Sequence, residues 1–444
     1  MANLADLLVT RLGEPRYDSP LAGYVAGRRS NEHYLDESDR VIFHDTVSQL
    51  GELAHGPGGG SPEQWPSFEP GGPRRRLFFA PGATRVAVVT CGGLCPGLND
   101  VVRGLVMELA KHYGIAEVIG YRHGFAGLVP GLGPPPVTLT PVGVHDINQH
   151  GGTVLGSSRG AQDPDVLVDR LVSDSVDILF VIGGDGSMRG AGGLARQLRE
   201  RGLPIAVIGI HKTIDNDIPF IGQSFGFVTS FSVAAKSINA AMIEAQAAIG
   251  GVGLVKLMGR HSGFIACYAA LANHEADFVL IPEVSFRLDG PGGFLAALHQ
   301  RVQDTGNAVV VVAEGAGQDV LQATAGSDAS GNRALGDIGS HLRQAITGHF
   351  AERGTPLSLK YFDPGYAIRS VRAHPHDSVY CVRLAQAAVH AGMAGRTDMV
   401  VGRRHNRFVH VPISLVVSEC NQVAPDGDLW LSVLESTAQP VTMV

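Results

Sequence analysis

One arrangement recurs along this chain and constrains its fold more than any other feature: a short apolar run, a glycine-bearing loop, then a segment of helical period. RVAVVT (Arg85–Thr90) passes into Cys91-Gly-Gly-Leu-Cys-Pro-Gly-Leu-Asn99 and a helical pattern over Asp100–His112. DILFVI (Asp177–Ile182) passes into Gly183-Gly184-Asp185-Gly186-Ser187 and a helix reaching about Arg201. IAVIGI (Ile205–Ile210) passes into His211-Lys212-Thr213-Ile214-Asp215-Asn216-Asp217. A long helix, about Ser230 to Ala248, then opens a second set with strands expected at Gly253–Leu257, Phe278–Ile281, Ala308–Ala313 and Leu357–Tyr361. Unbroken apolar runs of strand length alternating with helices mean parallel sheets covered on both faces. The sequence therefore predicts two doubly wound α/β lobes with parallel-rich sheets and a cleft between them. One lobe takes 81–229 with 370–418, the other 230–369 with 419–444. Asp377–Gly392 reads as a helix, and Met399–Val411 as a hairpin around Arg404-His-Asn406.

Residues 1–80 have a different texture. Pro/Gly clusters (His55–Pro62, Glu69–Pro73) and a basic triplet, Arg74-Arg75-Arg76, separate short apolar pieces. They are expected to form an N-terminal extension that packs on a core or a neighbouring subunit. Gln318–Gly336 is polar and glycine-containing, which predicts a mobile surface loop.

Composition narrows the function. At 444 residues the chain exceeds one ordinary core. Its 58 glycines are about twice the usual share, so backbone is expected to approach a ligand closely in several places. A net charge of −7, without a basic stripe, argues against nucleic acid or an anionic membrane as partner. The apolar runs are strand-sized, and no basic segment followed by a long apolar one opens the chain; neither a membrane span nor a signal peptide is expected. Five cysteines make no disulfide framework, and Cys91 with Cys95 lacks a second pair at zinc spacing. Reduced thiols and a cytoplasmic location follow as expectations.

In open α/β sheets, ligands sit beyond the carboxyl ends of strands. The Cys91–Asn99 loop can offer backbone N–H groups and a helix N-terminus to an anion, although glycine turns between strand and helix are common. Asp185 is placed either to serve Mg²⁺ beside phosphate oxygens or simply to shape a turn or helix cap. Asp215 could take a proton from a hydroxyl, Asp217 could orient metal or base, and Lys212 could steady phosphate charge. Arg159, Arg260, Lys360 and Arg369 also follow turns or strand ends, where several cations together suit phosphate binding, and Glu314 and Tyr366 are further candidates in the same segments. No GxxxxGK[ST] or GxGxxG pattern occurs. From residue chemistry alone, the expectation is a two-lobed phosphotransferase using Mg²⁺ and a phosphorylated small substrate.

Seven segments in order carry a more specific resemblance: GGLCPGLNDVVRG (Gly92–Gly104), GGTVLGSSRG (Gly151–Gly160), GGDGS (Gly183–Ser187), KTIDND (Lys212–Asp217), KLMGRHSGF (Lys256–Phe264), VVAEG (Val311–Gly315) and KYFDPGYAIR (Lys360–Arg369). Together they make the chain similar, over roughly Arg74 to Ser418, to the phosphofructokinases, in particular the long pyrophosphate-type branch that includes ATP users. The resemblance implies transfer of the γ-phosphoryl group of Mg-ATP to the 1-hydroxyl of fructose 6-phosphate. It makes the first lobe nucleotide-binding and the second fructose 6-phosphate-binding. It assigns nucleotide contacts to Gly93, Arg159, Gly160, Gly184, Asp185, Gly186 and Ser187, with Asp185 serving Mg²⁺. Asp215 becomes the general base, with Thr213, Ile214 and Asp217 beside it. Met258, Gly259, Arg260, Glu314, Tyr366 and Arg369 become the sugar-phosphate pocket, with Lys360 reaching it across a subunit interface of a homo-oligomer. Gly186 and Lys212 bear on the donor: pyrophosphate users carry aspartate and lysine there, short-branch ATP users glycine at both.

Departures from the family pattern are visible too. His211 replaces the usual proline or glycine. Gly251 stands where short bacterial enzymes have an interfacial arginine. Of their effector-binding basic residues Arg103 has a match, His150 stands in for another, and Gln303–Asn307 lacks the lysines, so effector control of that kind is not expected. The rival readings are a pyrophosphate-dependent enzyme and a catalytically silent sensor on the same fold.

Overall fold

The computed structural model describes residues 4–21, 34–55, 60–321 and 334–443. Positions 322–333, most of the expected loop Gln318–Gly336, lie outside the described residues, as do 56–59 of the first Pro/Gly cluster. The chain divides into two compact units: Met1–Lys212 with Ile218–Phe225 and Pro375–Glu419, and Thr213–Asp217 with Gly226–His374 and Cys420–Val444.

The first unit is organised on a nine-stranded sheet in the order Val41–Ile42, Ser67–Pro70, Arg407–Pro412, Met399–Arg404, Ala206–His211, Ile178–Gly183, Val86–Thr90, Val118–Tyr121, Val137–Leu139. The five strands from Met399–Arg404 to Val118–Tyr121 are parallel, and the flanking ones run antiparallel. Every residue of Val86–Thr90, Ile178–Gly183 and Ala206–His211 is buried, which is why these strands read as continuous apolar runs. The expected hairpin forms between Met399–Arg404 and Arg407–Pro412, and its first strand extends the parallel set. Helix Leu98–Tyr113 lies against helix Pro375–Met393 at Gly104, where an added Cβ would come within 2.7 Å of the Ala385 methyl.

Described segments before Arg85 are woven into this unit. Val41–Ile42 and Ser67–Pro70 continue the sheet beyond Arg407–Pro412, and Thr10–Arg11 pairs with Arg396–Thr397. A buried ionic cluster locks them. Glu69 accepts from Arg396 Nε at 2.7 Å, Arg74 at 3.1 Å and Arg11 at 3.1 Å. Burial alone would raise the Glu69 carboxyl, but His410, Arg396 and Arg74 together hold it well below the ordinary carboxylate range.

The second unit has a four-stranded, wholly parallel sheet in the order Phe278–Leu280, Asn307–Ala313, Gly251–Leu257, Ser358–Phe362. Phe294, Leu342, Ile346 and Phe350 cover one face of it. Helix Phe227–Gln246 lies close on the strand Gly251–Leu257: an added Cβ at Gly253 would stand 2.8 Å from the Ala241 carbonyl oxygen. This helix starts three residues before the expected Ser230, because Gly226, at φ 85°, supplies the left-handed turn that begins it. A second boundary also moves. The helix after Ile178–Gly183 starts at Asp185, not Ser187, with Gly184 as an extended N-cap.

Candidate active site

Register levels three strand ends of the first unit. Thr90 pairs with Ile182, and Gly183 with His211, so the loops after Val86–Thr90, Ile178–Gly183 and Ala206–His211 leave the same edge of the sheet side by side. Gly92 takes φ 81°, donates its N–H to Ser158 O at 3.0 Å and accepts from Ser157 Oγ at 2.5 Å. Those bonds dock the Gly156–Gly160 segment and bring Arg159 with it. A Cβ on Gly93 would lie 3.5 Å from the Arg159 guanidinium; one on Gly92 would lie 3.8 Å from Lys212 Nζ and 3.9 Å from Ser187 Oγ. Lys212 N–H bonds Gly183 O at 2.9 Å, and its side chain is mostly buried. Gly93, Arg159, Gly184, Ser187 and Lys212 thus converge. Gly160 and Gly186 face open space, with nothing within 4 Å of an added Cβ.

Asp185 opens helix Asp185–Glu200, and its Oδ1 accepts a 2.7 Å hydrogen bond from His211 Nε2. Among the described residues no group of three or more His, Cys, Asp or Glu could hold a metal ion by itself. A single part-exposed carboxylate fits a cation that arrives on phosphate oxygens and keeps most of its water, which is magnesium's habit. Cys91 borders these loops, but burial pushes its thiol up to about 11, so it remains protonated near neutrality.

The second unit begins at Thr213, directly after Lys212. Thr213 Oγ1 donates to Asp217 Oδ1 at 2.8 Å and accepts from Asp215 N–H at 3.1 Å. Asn216 sits at φ 57°, a left-handed position that asparagine tolerates, so Asp215 and Asp217 stand on either side of a sharp turn. Ser262 Oγ donates to Asp215 O at 3.2 Å, which ties this loop to Met258–Gly263. Within that loop Gly259 adopts φ 125°, which its glycine permits. Gly315 N–H bonds Gly259 O at 3.0 Å, and a side chain on Gly315 would collide with the Arg260 carbonyl, so Glu314 is carried on a turn pressed against Arg260. A Cβ on Gly365 would lie 3.8 Å from Met258 Cγ, placing the helix of Tyr366 and Arg369 beside Met258; Tyr366 is exposed and Arg369 half-buried. Thr213, Ile214, Asp215, Asp217, Met258, Gly259, Arg260 and Glu314 therefore occupy linked loops, with Tyr366 and Arg369 on the short helix beside Met258. Lys360 does not join them. It lies opposite Gly253 on the edge strand, exposed, over a hollow shared with Glu244, Arg343 and Tyr361.

Sequence reasoning missed three supports of these loops. Asn421 N–H bonds Asp217 O at 2.7 Å, and Gln422 Nε2 bonds His261 O at 2.9 Å. Glu283 Oε1 accepts from Gly263 N–H at 2.9 Å and Val423 N–H at 2.8 Å. Burial pushes the Glu283 carboxyl up, and those N–H groups pull against it. Glu283 follows a strand end, as the recognised loops do, and could have been suspected; the Asn421 and Gln422 contacts come from a segment remote in sequence and left no signal.

The phosphofructokinase family model matches residues 85–392. Over 99% of this chain and 96% of the relative's length, the sequence is 54% identical to a protein of Amycolatopsis methanolica named ATP-dependent 6-phosphofructokinase. It is 41% identical, over 99% of this chain and 98% of the other, to a protein of the same name from Borreliella burgdorferi. The crystal structure of a pyrophosphate-dependent phosphofructokinase from Marinobacter aquaeolei superposes with a TM-score of 0.65 at 20% identity, covering 80% of this chain and 92% of that one, a likeness of fold. The chain belongs to the phosphofructokinase family.

Proposed function

We propose that this chain is an ATP-dependent 6-phosphofructokinase, moving the γ-phosphoryl group of ATP onto the 1-hydroxyl of fructose 6-phosphate to give fructose 1,6-bisphosphate and ADP. The full-length relatives that carry this name support it. The observation that carries the choice of donor is Gly186: its added Cβ would meet nothing within 4 Å, so room exists where a larger donor must pass.

Phosphoryl transfer asks a protein for position and charge stabilisation above all. Gly93, Arg159, Gly160, Gly184 and Ser187 are assigned to the nucleotide's phosphates, with Lys212 and Arg159 neutralising charge on the transferred group. Asp185 is assigned to Mg²⁺, which when bound on the phosphates screens their charge. Asp215 removes the proton from the 1-hydroxyl, worth about 10²–10⁴-fold. Thr213 and Asp217 hold the turn that presents it. Met258, Gly259, Arg260, Glu314, Tyr366 and Arg369 bind the sugar phosphate. Lys360, apart from these within one chain, is assigned to the 6-phosphate of a neighbouring protomer's substrate, which makes the enzyme a homo-oligomer, a dimer or tetramer. No helix among the described residues is long and apolar enough to cross a membrane, and we place the enzyme in the cytoplasm. The decisive experiment is a coupled assay of fructose 6-phosphate and Mg²⁺ with ATP or pyrophosphate as donor. Turnover is expected with ATP; efficient turnover with pyrophosphate and little with ATP refutes the assignment.

A further inference from the structure

The parallel ladder sets His211 directly opposite Gly183, at the end of its strand. Two residues earlier on the same face is Gly209, where an added Cβ would lie 2.8 Å from Met188 Sδ. The helix Asp185–Glu200 thus lies close over this face, close enough for a histidine at the strand end to reach the helix's first residue. The His211 side chain is only 2% exposed, while the Asp185 side chain is 40% exposed. Asp185 Oδ1 is its hydrogen-bond partner at 2.7 Å; the other ring nitrogen, Nδ1, is buried and has no hydrogen-bond partner among the described residues. Burying a ring with one nitrogen unsatisfied costs stability. The one bond it does make is directed at the carboxylate assigned to the metal.

We propose that His211 is a positioning residue. By donating Nε2–H to Oδ1 it fixes the orientation in which the Asp185 carboxylate meets the Mg-nucleotide. This rests on the reading of Asp185 given above. A carboxylate in the first turn of a helix can otherwise swing back to its own free N–H groups. Outer partners that orient a ligand in this way typically alter metal affinity about 10–100-fold when removed.

The test is equilibrium binding of ATP in the absence of sugar, with and without Mg²⁺, on the full-length protein. In the unmodified protein Mg²⁺ increases the affinity by some factor. His211→Leu should shrink that factor by about tenfold or more while metal-free ATP binding stays within about twofold. His211→Gln, which keeps a donor near the Nε2 position, should restore most of it. A merely structural role would instead lower the melting temperature and weaken binding equally with and without metal. Should His211→Leu fail to fold, His211→Asn, polar but too short to reach Oδ1, is read in the same titration against the same expectation. Asp185→Asn separates the two layers of reasoning. If Asp185→Asn abolishes the metal-dependent gain but His211→Leu leaves it intact, the positioning role is wrong and the Asp185 assignment stands. If Asp185→Asn leaves the gain intact, the underlying metal assignment is wrong.

Discussion

Replacing Gly186 with aspartate probes the proposed donor site by charge, with little steric complication. Gly186 is exposed, its φ is not left-handed, and an added Cβ meets nothing within 4 Å, so the backbone accepts a side chain without rearrangement. It is the second residue of helix Asp185–Glu200, where a carboxylate gains about 0.3–1 kcal/mol from the helix dipole. The variant should therefore melt no lower than the parent. Its effect on the donor is the opposite. One unit of negative charge about 6 Å from a nucleotide phosphate costs roughly 0.7 kcal/mol at the dielectric of water and roughly 2.8 kcal/mol at an effective value near 20. Those limits correspond to losses of about threefold and about a hundredfold. An exposed position beside the proposed donor site falls between them, and kcat/KM for ATP should drop by about tenfold. Gly186→Asn is the uncharged control of nearly equal bulk and should lose much less. Both variants are assayed through coupled NADH oxidation at several salt concentrations, since a charge effect shrinks as salt rises. The reasoning fails if Gly186→Asp and Gly186→Asn lose the same factor, or if the aspartate variant stays within about twofold of the parent.

Asp215→Asn should leave folding and both substrate affinities near normal while turnover falls at least about 10²-fold; a loss below tenfold means that another group takes the proton. Lys360→Ala should raise KM for fructose 6-phosphate more than it lowers kcat, and sedimentation should give a homo-oligomer, so a fully active monomer would defeat the idea of a borrowed lysine. Glu69→Ala removes the buried one of the two carboxylates that Arg74 and Arg396 share, leaving them only the half-exposed Glu37, and should cost about 3 kcal/mol, read by denaturant unfolding. Because the folded protein holds the Glu69 carboxyl below its ordinary range, its stabilisation is present above that range and is lost as pH falls through and below it. The stability gap between parent and Glu69→Ala should therefore narrow toward acid, and a gap that is constant from neutral pH down to the acid limit of folding contradicts this account.

Much of the architecture was legible because it is written in local periods. The strands Val86–Thr90, Ile178–Gly183 and Ala206–His211 are buried on both faces, so before their terminal Thr90 and His211 they are continuous apolar runs. The glycine loops after them were legible for a different reason: a turn that needs left-handed backbone favours glycine, as at Gly92, which takes φ 81°. Asp185 and Asp215 stood out as carboxylates at strand exits.

Sequence alone therefore determined the alternating α/β order and the family to which the chain belongs, and it singled out the loops proposed to carry the chemistry. Tertiary structure alone decided which distant residues hold those loops still. The Glu69 cluster gathers Arg11, Arg74 and Arg396, the Asp217 turn is tied down by Asn421, Glu283 spans Gly263 and Val423, and His211 meets Asp185. Each such contact depends on strand order and register, which bring together segments up to hundreds of residues apart. A lone histidine or glutamate carries no periodic mark of the partner that the folded sheet will place beside it.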